Sequence, residues 1–463
     1  MAAWPSGWER ALDRLRDALG RDRILEGAPA IHEIRRRSLN PADDAALRCL
    51  LRPQSSEECR IAIEVLGEAG CRPRPIGALT TFWEPAHPLD AAIGLDTLAL
   101  RIPDRIDVRE RVGYFGAGTT VREVDRAARA QGLCLMAYPD SDGSAPVGSM
   151  AAMACTSGLG MARLSPVEQI VGLTIVTPEA RIVRTGASWR LGRGGIAHGL
   201  PDPTGMFLGS QGRFGVITEV VLTLASAPFL AARVWRTPWH PPGEIADALR
   251  RTRREMDDGA IDSIRLEAVA PGGTEPAALE WFVRCWAPDS GASADARAAE
   301  AADRLGARAA RGWVESAAGR RGELPDHDAR YSLPPGAHHE RTGQAGFLGI
   351  EVNVNWGEHL EGTLDVFAGL FAALRALPLG HARLGIYPAP HTVSIGAHAM
   401  LTGGSATPDV VRDAMAAFIE PLNALGALPY RPGRLWRGVM DHRERADPAC
   451  ELLRRAGLSW RPS

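Results

Sequence analysis

The stretch that decides the fold is PDPTGMFLGSQGRFGVITEVVLTL, residues 201–224. It opens with a Pro-Asp-Pro turn, carries Gly209, Gly212 and Gly215 at three-residue spacing, and continues as a β-branched run over residues 216–224. Because glycine lets the backbone approach a ligand closely, Ser210 and the peptide N–H groups around it can bind an anion or a ring carbonyl. An ordinary buried strand with a glycine-rich lead-in is the alternative, and the pattern alone favours that alternative.

The composition is that of a soluble globular protein of two or three domains. The chain has 463 residues, of which 45% are hydrophobic, 6% aromatic and 23% charged, which excludes disordered and collagen-like classes. A formal net charge of -2 gives no reason to expect nucleic acid or a membrane surface as a partner. All 53 basic residues are arginine, so Schiff-base lysine chemistry and P-loop nucleotide chemistry, which need an amine, are excluded.

Cysteine usage and hydropathy favour a cytoplasmic location. The seven cysteines are scattered and form no CxxC pair, so neither a disulfide framework nor a zinc site is expected. The histidines show no metal-ligand spacing, and no metal is predicted. The first 20 residues are amphipathic and charged, unlike a signal peptide, and no apolar run reaches the ~18 residues of a membrane span.

Local patterns predict most elements of the first half. The region up to Pro53 is predicted to be helical. Ser55 and Ser56 cap a helix that runs to Gly70, because serine oxygens accept from free N–H groups at a helix start. Further predictions are strands at 73–77, 97–102 and 112–118, a capped helix within 119–132, and a hairpin of 170–176 with 180–184.

Beyond Pro228 helices and strands alternate. Helices are predicted at 243–256 and 293–306, and strands at 264–269, 281–287, 349–356 and 383–399. This mixture predicts an α+β substrate domain with an antiparallel sheet.

Five segments in order resemble the FAD-binding half of the vanillyl-alcohol oxidase and para-cresol methylhydroxylase superfamily. They are residues 75–82, VGYFGAGTTVREV (112–124), PDSDGSAPVGSMAAMACTSGLG (139–160), QIVGLTIVTPEARIVRTG (169–186) and GSQGRFGVITEVVLTL (209–224). The resemblance implies an α+β protein with an FAD-binding domain at 1–230, a substrate or cap domain at 231–425 and a C-terminal segment, 426–463, that returns to the FAD domain. It also implies an FAD-dependent oxidase or dehydrogenase.

The resemblance also implies which residues bind FAD. The loop 77–81 would hold the pyrophosphate through its peptide N–H groups and two threonine hydroxyls. Residues 139–160 are poor in large side chains and would lie against the flavin, although a packed loop is the alternative. The full set is Pro75, Gly77, Ala78, Leu79, Thr80, Thr81, Phe82, Pro139, Asp140, Gly143, Ser144, Val147, Gly148, Ser149, Ala152, Gly158, Gly215, Val216 and Ile217.

The pyrophosphate loop departs from the family pattern. Ala78 and Leu79 stand where relatives usually have glycine, and Thr80 stands where several relatives carry the histidine that attaches FAD. Attachment through this loop is therefore excluded, and we expect non-covalent FAD. Attachment through a histidine or tyrosine of the second domain stays open.

The segment PYRPGRLWRGVMD, residues 429–441, resembles the phenol-binding segment of the 4-alkylphenol-oxidising branch. The resemblance implies that Tyr430 and Arg431 bind the substrate as phenolate, because a guanidinium and a hydroxyl stabilise that anion. Hydride would then leave the benzylic carbon and give a quinone methide, with Asp140 as the acid–base residue. Phe82 stands where the family often has a second phenol-binding tyrosine, so either the pocket is rebuilt or the substrate is not a simple phenol. A purely structural role for the Tyr-Arg pair is the alternative.

Three functions stay open from the sequence. The first is oxidation of a para-substituted phenol or related aromatic alcohol, with dioxygen or a carrier protein as electron acceptor. The second is oxidation of a non-phenolic alcohol or hydroxy acid, and the third is flavin binding without redox turnover. The oligomeric state is also open, with a homodimer among the alternatives.

Overall fold

The computed structural model describes most of the chain in thirteen separate ranges. These are residues 7–38, 47–81, 92–139, 141–155, 165–186, 202–271, 274, 278–306, 318–320, 344–389, 391–402, 406–429 and 434–436. Within these ranges no helix is both long enough and apolar enough to cross a membrane.

The first sheet has four short strands in the order β1-β2-β4-β3. Strand β1 pairs antiparallel with β2, whereas β2 and β3 both run parallel to β4. The strands are β1 (Ile24–Glu26), β2 (Cys49–Leu51), β3 (Arg74–Ile76) and β4 (Ile93–Asp96), and the helices around them are α1 (Trp8–Leu19), α2 (Ala28–Arg37) and α3 (Ser56–Glu68).

This region corrects two predictions and confirms two. The region before Pro53 is not entirely helical, because β1 and β2 pair with each other across the intervening helix α2. The strand expected at 97–102 lies at Ile93–Asp96, and Thr97–Ala99 forms a 3₁₀ turn. Strand β3 is where it was predicted, and helix α3 begins as predicted, with the Ser55 hydroxyl accepting from the Glu58 N–H at 3.1 Å.

The second sheet has five strands in the order β5-β6-β10-β8-β9, all antiparallel to their neighbours. They are β5 (Arg105–Asp107), β6 (Val112–Gly116), β8 (Ile170–Val176), β9 (Ile182–Arg184) and β10 (Val216–Thr223). Strand β7 (Leu133–Cys134) pairs separately with β11 (Ala225–Ser226). The predicted hairpin β8–β9 and the strand of the opening stretch are confirmed.

Three helices accompany the second sheet. Helix α4 (Val121–Arg129) starts with a complete capping box, in which Thr120 and Glu123 each accept from the other's backbone N–H. Helix α5 (Val147–Ala152) follows Pro146, and α6 (Thr204–Phe207) is a single turn that the sequence did not predict. Buried side chains of α3, α4 and α5 share one hydrophobic core with β6, β8 and β10.

The second half of the chain forms an eight-stranded antiparallel sheet with the order β15-β12-β14-β13-β17-β18-β16-β19. Its strands are β12 (Phe229–Thr237), β13 (Ser263–Pro271), β14 (Leu279–Ala287), β15 (Ala318–Arg320), β16 (Gln344–Asn355), β17 (His381–Pro388), β18 (Thr392–Thr402) and β19 (Leu428–Pro429). Its helices are α7 (Pro242–Asp257), α8 (Gly291–Arg304), α9 (His359–Arg375), α10 (Pro408–Ala416) and α11 (Ile419–Ala424). These helices pack against one face of the sheet and enclose the largest hydrophobic core.

The predicted α+β class and antiparallel second sheet are confirmed, with local differences. Helices α7 and α8 and strands β13, β14 and β16 lie where they were expected. Residues 383–399 form a hairpin rather than one strand, because the chain turns after Pro388 and the Ala389 N–H bonds the Thr392 carbonyl at 2.8 Å. Strand β12 and helix α9 were not predicted.

Candidate functional site

An open pocket lies where the first sheet meets the glycine-rich lead-in to β10. Three separate parts of the chain meet there: the end of β3 with the following loop, helix α5, and residues 211–217. The described residues that line it are Arg74, Pro75, Ile76, Gly77, Leu79, Thr80, Thr81, Thr97, Gly148, Ser149, Ala152, Met153, Gln211, Gly212, Gly215 and Ile217.

The loop 77–81 contributes four of its five residues to the pocket. Leu79 has a φ of 57°, which turns the peptide units on either side of it. Among the described residues, no carbonyl accepts from the peptide N–H groups of Ala78, Leu79 and Thr80. A Cβ on Gly77 would lie 2.1 Å from Ser149 Oγ, so glycine lets this backbone approach α5 without displacing that hydroxyl. Successive free N–H groups in such a turn form an anion-binding concavity.

Helix α5 forms the second wall and is held tightly against the end of β6. The Gly148 N–H donates to the Ala117 carbonyl at 2.9 Å, and a Cβ on Gly148 would lie 2.7 Å from Ala117 Cβ. The Thr80 hydroxyl lies 3.5 Å from Ser141 Oγ, which connects the loop 77–81 to the chain that leads into α5. The small residues of this region therefore permit close approach of backbone to backbone.

The glycine-rich lead-in forms the third wall. Gly209, Gly212 and Gly215 have φ angles of 70°, 76° and 132°, and Gln211 adopts 53°. The Gly209 and Gln211 N–H groups donate to Ala151 and Ala152 of α5 at 3.0 and 2.8 Å. A positive φ is uncommon for a non-glycine residue and is concentrated at functional sites, so Gln211 is a site residue in its own right.

Arg74 is the one charged side chain among the described residues that line the pocket. Its positive charge and the N–H groups of the loop give the pocket the polarity that an anionic group requires. The other lining residues are small, apolar or hydroxylic, and they suit a flat ring system.

The structure brings ten of the predicted cofactor-binding residues to this pocket. They are Pro75, Gly77, Leu79, Thr80, Thr81, Gly148, Ser149, Ala152, Gly215 and Ile217. Six others are described but are not part of its lining: Ala78, Pro139, Gly143, Ser144, Val147 and Val216. Val147 and Val216 are fully buried in the core on which the pocket rests. Phe82, Asp140, Gly158, Tyr430 and Arg431 lie outside the described residues.

Sequence reasoning missed four lining residues: Arg74, Ile76, Thr97 and Met153. Gln211 and Gly212, which also line the pocket, belong to the opening stretch, where the glycine spacing was itself the signal. Thr97 reaches the pocket through the parallel pairing of β3 with β4, for which the sequence has no local signal.

The geometry fits FAD. A glycine-lined backbone cradle with free N–H groups suits a pyrophosphate, and the adjoining small-residue wall suits an isoalloxazine ring. The residues that would hold the cofactor are those of the loop 77–81 on the pyrophosphate side, with Ser149 and residues 211–217 on the other walls.

Comparisons with known proteins agree with this geometry. Residues 47–186 match the FAD binding domain family. The solved structure of p-cresol methylhydroxylase with substrate bound is similar with a TM-score of 0.72 at 16% identity, over 98% of this chain and 95% of that one. The isoeugenol complex of 4-ethylphenol oxidase from Gulosibacter chungangensis gives 0.71 at 12% identity, over 94% and 91%. Alkyldihydroxyacetonephosphate synthase gives 0.65 at 16% identity, over 97% and 85%.

The matched domain confirms the predicted FAD-binding domain and FAD as cofactor, and the similar structures confirm the predicted fold. At these identities the structural similarity concerns the fold, and the substrate requires separate evidence.

Proposed function

Because the chain carries an FAD-binding domain within the fold of the vanillyl-alcohol oxidase and para-cresol methylhydroxylase superfamily, we propose that it oxidises a small para-substituted phenol. The reaction removes a hydride from the benzylic carbon or from an alcohol carbon attached to the ring. The proposal is supported by two similar structures, a p-cresol methylhydroxylase and a 4-ethylphenol oxidase, and by the Tyr-Arg pair of the C-terminal segment.

The observation that carries the proposal is the pocket itself. Residues 74–81, 148–153 and 211–217 are far apart in the sequence, and each contributes backbone or small side chains to one cavity. Such an arrangement would hold FAD through backbone and small side chains from three separate parts of the chain. When bound there, FAD supplies the acceptor for the hydride.

Three side chains would act on the substrate. Arg431 and Tyr430 bind the phenol oxygen and lower the pKa of the phenol, because both groups stabilise the phenolate. The phenolate pushes electron density toward the para carbon, which then loses hydride and becomes a quinone methide. Asp140 moves the proton of the water that adds to this intermediate.

The test begins with the visible spectrum of the purified protein, with and without added FAD. The FAD-bound protein is then mixed anaerobically with a 4-alkylphenol, the methyl ether of the same phenol, an aromatic alcohol without a phenolic hydroxyl, and a hydroxy acid. We expect the phenol to bleach the flavin absorbance and the methyl ether to leave it unchanged, because the ether cannot form a phenolate. Bleaching by the hydroxy acid alone would contradict the proposal and favour a non-phenolic substrate.

A pair of tyrosine variants tests the residue assignment. Tyr430→Phe is expected to slow reduction by the phenol about 100-fold, within the range of one positioned catalytic group. Tyr114→Phe is the matched control, because Tyr114 lies on β6 beside Arg105, whose guanidinium carbon is 3.7 Å from the ring centroid, and it does not line the pocket. Equal rates for Tyr430→Phe and the parent protein would remove Tyr430 from the mechanism.

A further inference from the structure

Arg37 and Asp96 form the buried centre of a cluster of arginines and carboxylates behind the loop 77–81. Arg37 and Asp96 make a two-pronged ion pair, with Nη1–Oδ1 at 2.9 Å and Nη2–Oδ2 at 2.7 Å. Arg37 Nε also donates to Glu33 Oε1 at 2.7 Å. Arg52 completes the cluster, with Nε 3.4 Å from Asp96 and Nη2 3.2 Å from Glu33. Arg36 also donates to Glu33, at 3.1 Å, so three arginines surround the two carboxylates, whereas the central Arg37–Asp96 pair carries no net charge.

Asp96 links this cluster to the pocket. It is the last residue of β4 and pairs in register with Ile76, the last residue of β3. Its Oδ1 also accepts from the Leu98 N–H at 3.1 Å and so caps the 3₁₀ turn that begins at Thr97. The Thr97 hydroxyl donates to the Ile76 carbonyl at 3.1 Å. Ile76 and Thr97 both line the pocket, and the loop 77–81 starts directly after Ile76.

Helix α2 also contacts the same loop, through a small hydrophobic cluster. Ile34 lies in a buried cluster with Ile76, against which Leu79 of the loop packs. Arg37 follows Ile34 by three residues, so both side chains lie on one face of the helix. Arg37 is only 5% exposed, and its position is fixed by the helix on one side and by Asp96 on the other.

We propose that the Arg37–Asp96 pair positions the pyrophosphate-binding loop for FAD. The inference rests on the FAD site described above, and it assigns Arg37 and Asp96 as positioning residues that do not themselves contact the cofactor. Because the pair fixes the position at which β3 ends, the N–H groups of the loop that follows keep the spacing that a pyrophosphate needs. Supporting residues of this kind typically change ligand affinity by about 10- to 100-fold.

The planar fork of arginine is essential to this role. A lysine at position 37 would keep the positive charge but could not hold both Asp96 oxygens and Glu33 in one plane. Arg37→Lys therefore separates geometry from charge. If the cluster acted only through its charge, Arg37→Lys would bind FAD as tightly as the parent protein does.

The experiment measures the dissociation constant for FAD by titration of the apoprotein, following flavin fluorescence, with circular dichroism as the check of folding. We expect Arg37→Lys to raise the dissociation constant at least about tenfold. Arg52→Lys changes a more exposed arm of the same cluster and is expected to raise the dissociation constant about fivefold. It serves as the second test of the inference if Arg37→Lys does not fold.

Arg129→Lys is the matched control. Arg129 Nε donates to Asp125 Oδ2 at 2.7 Å in helix α4, and Asp125 also accepts from the Leu135 N–H at 3.0 Å. None of these three residues lines the pocket, so the FAD dissociation constant is expected to stay within about twofold of the parent value.

Unchanged FAD binding by Arg37→Lys would overturn the inference, as would an equal loss of affinity in Arg129→Lys. No substrate is used, so the result is independent of the proposed phenol chemistry. A parent protein that takes up no FAD would overturn the cofactor assignment together with this inference.

Discussion

Replacing Gly215 by alanine tests the central claim about the glycine-rich lead-in. Gly215 has a φ of 132°, which L-residues rarely adopt, and forcing alanine into it costs about 1–3 kcal/mol. The new Cβ would also lie 2.4 Å from the Val176 carbonyl oxygen. That oxygen cannot move away easily, because Val176 is paired in register with Val216. Overpacking of this kind costs about 1–3 kcal/mol more.

Together these effects predict a loss of about 2–6 kcal/mol in the free energy of unfolding. With an unfolding entropy of about 2.1 cal/mol/K per residue over 463 residues, the loss should lower the melting temperature by about 2–6 °C. Because Gly215 lines the pocket, the variant should also bind FAD more weakly. The assay is thermal denaturation followed by circular dichroism, with and without FAD.

Gly205→Ala is the matched control for this prediction. Gly205 lies in the short helix α6, and a Cβ built on it would have nothing within 4 Å. Alanine in a helix is favoured over glycine by about 0.5–1 kcal/mol, so this variant should be as stable as the parent or slightly more stable. A melting temperature for Gly215→Ala within about 1 °C of the parent would refute the reasoning.

Three further predictions concern the first half of the chain. Burial raises the pKa of the Glu33 carboxyl, but hydrogen bonds from Arg36 and Arg37 outweigh burial and hold this pKa below its ordinary 4.5. The stability that ionised Glu33 contributes should therefore be complete at neutral pH and be lost as the pH falls below 4.5. A pH profile of stability that is the same in Glu33→Gln would contradict this. Burial raises the pKa of the Cys49 thiol to about 12, so iodoacetamide at pH 8 should leave the Cys49 peptide unmodified in folded protein and modify it after denaturation, as mass spectrometry would reveal. Thr120→Ala removes the side-chain cap of α4 and should lower the free energy of unfolding by about 0.5–2 kcal/mol in a urea titration. Thr120→Ser keeps a capping hydroxyl and should retain most of that free energy.

The elements that could be predicted from the sequence are those specified by neighbouring residues. The helices that start at Ser55 and Thr120 have their caps within three residues, and the β8–β9 hairpin closes through a short turn. Such signals are local and therefore visible in a linear pattern.

The elements that were missed depend on distant partners. Strands β1 and β2 have three residues each, and Ile24 pairs with Leu51 across the intervening helix α2. Strand β12 carries alanines and arginines within its apolar run, so its pattern is weak until it pairs with β14. Tertiary pairing overrides intrinsic preference at such places.

The residues of the site also divide into those with a local sequence signal and those that depend on distant partners. The glycines of the loop after β3 and of the lead-in to β10 could be identified from sequence, because glycine spacing and order carry the family resemblance. The contributions of Thr97 and Arg37 could not, because they act through the parallel contact of β4 with β3 and through an ion pair 59 positions apart.

The order of strands in the eight-stranded sheet also bears on how the chain is made. The smaller sheets pair only residues between Ile24 and Ser226, so they can form while the second half is still being synthesised. In the described residues, the large sheet gains its C-terminal strand when Leu428 and Pro429 pair with Asn353 and Val352. Among the described strands its two edges are β19 with two residues and β15 with three, and Pro429 has no N–H to offer to a further strand. A nascent chain that stops before Leu428 leaves the longer strand β16 as an open edge, and such edges recruit other chains into aggregates.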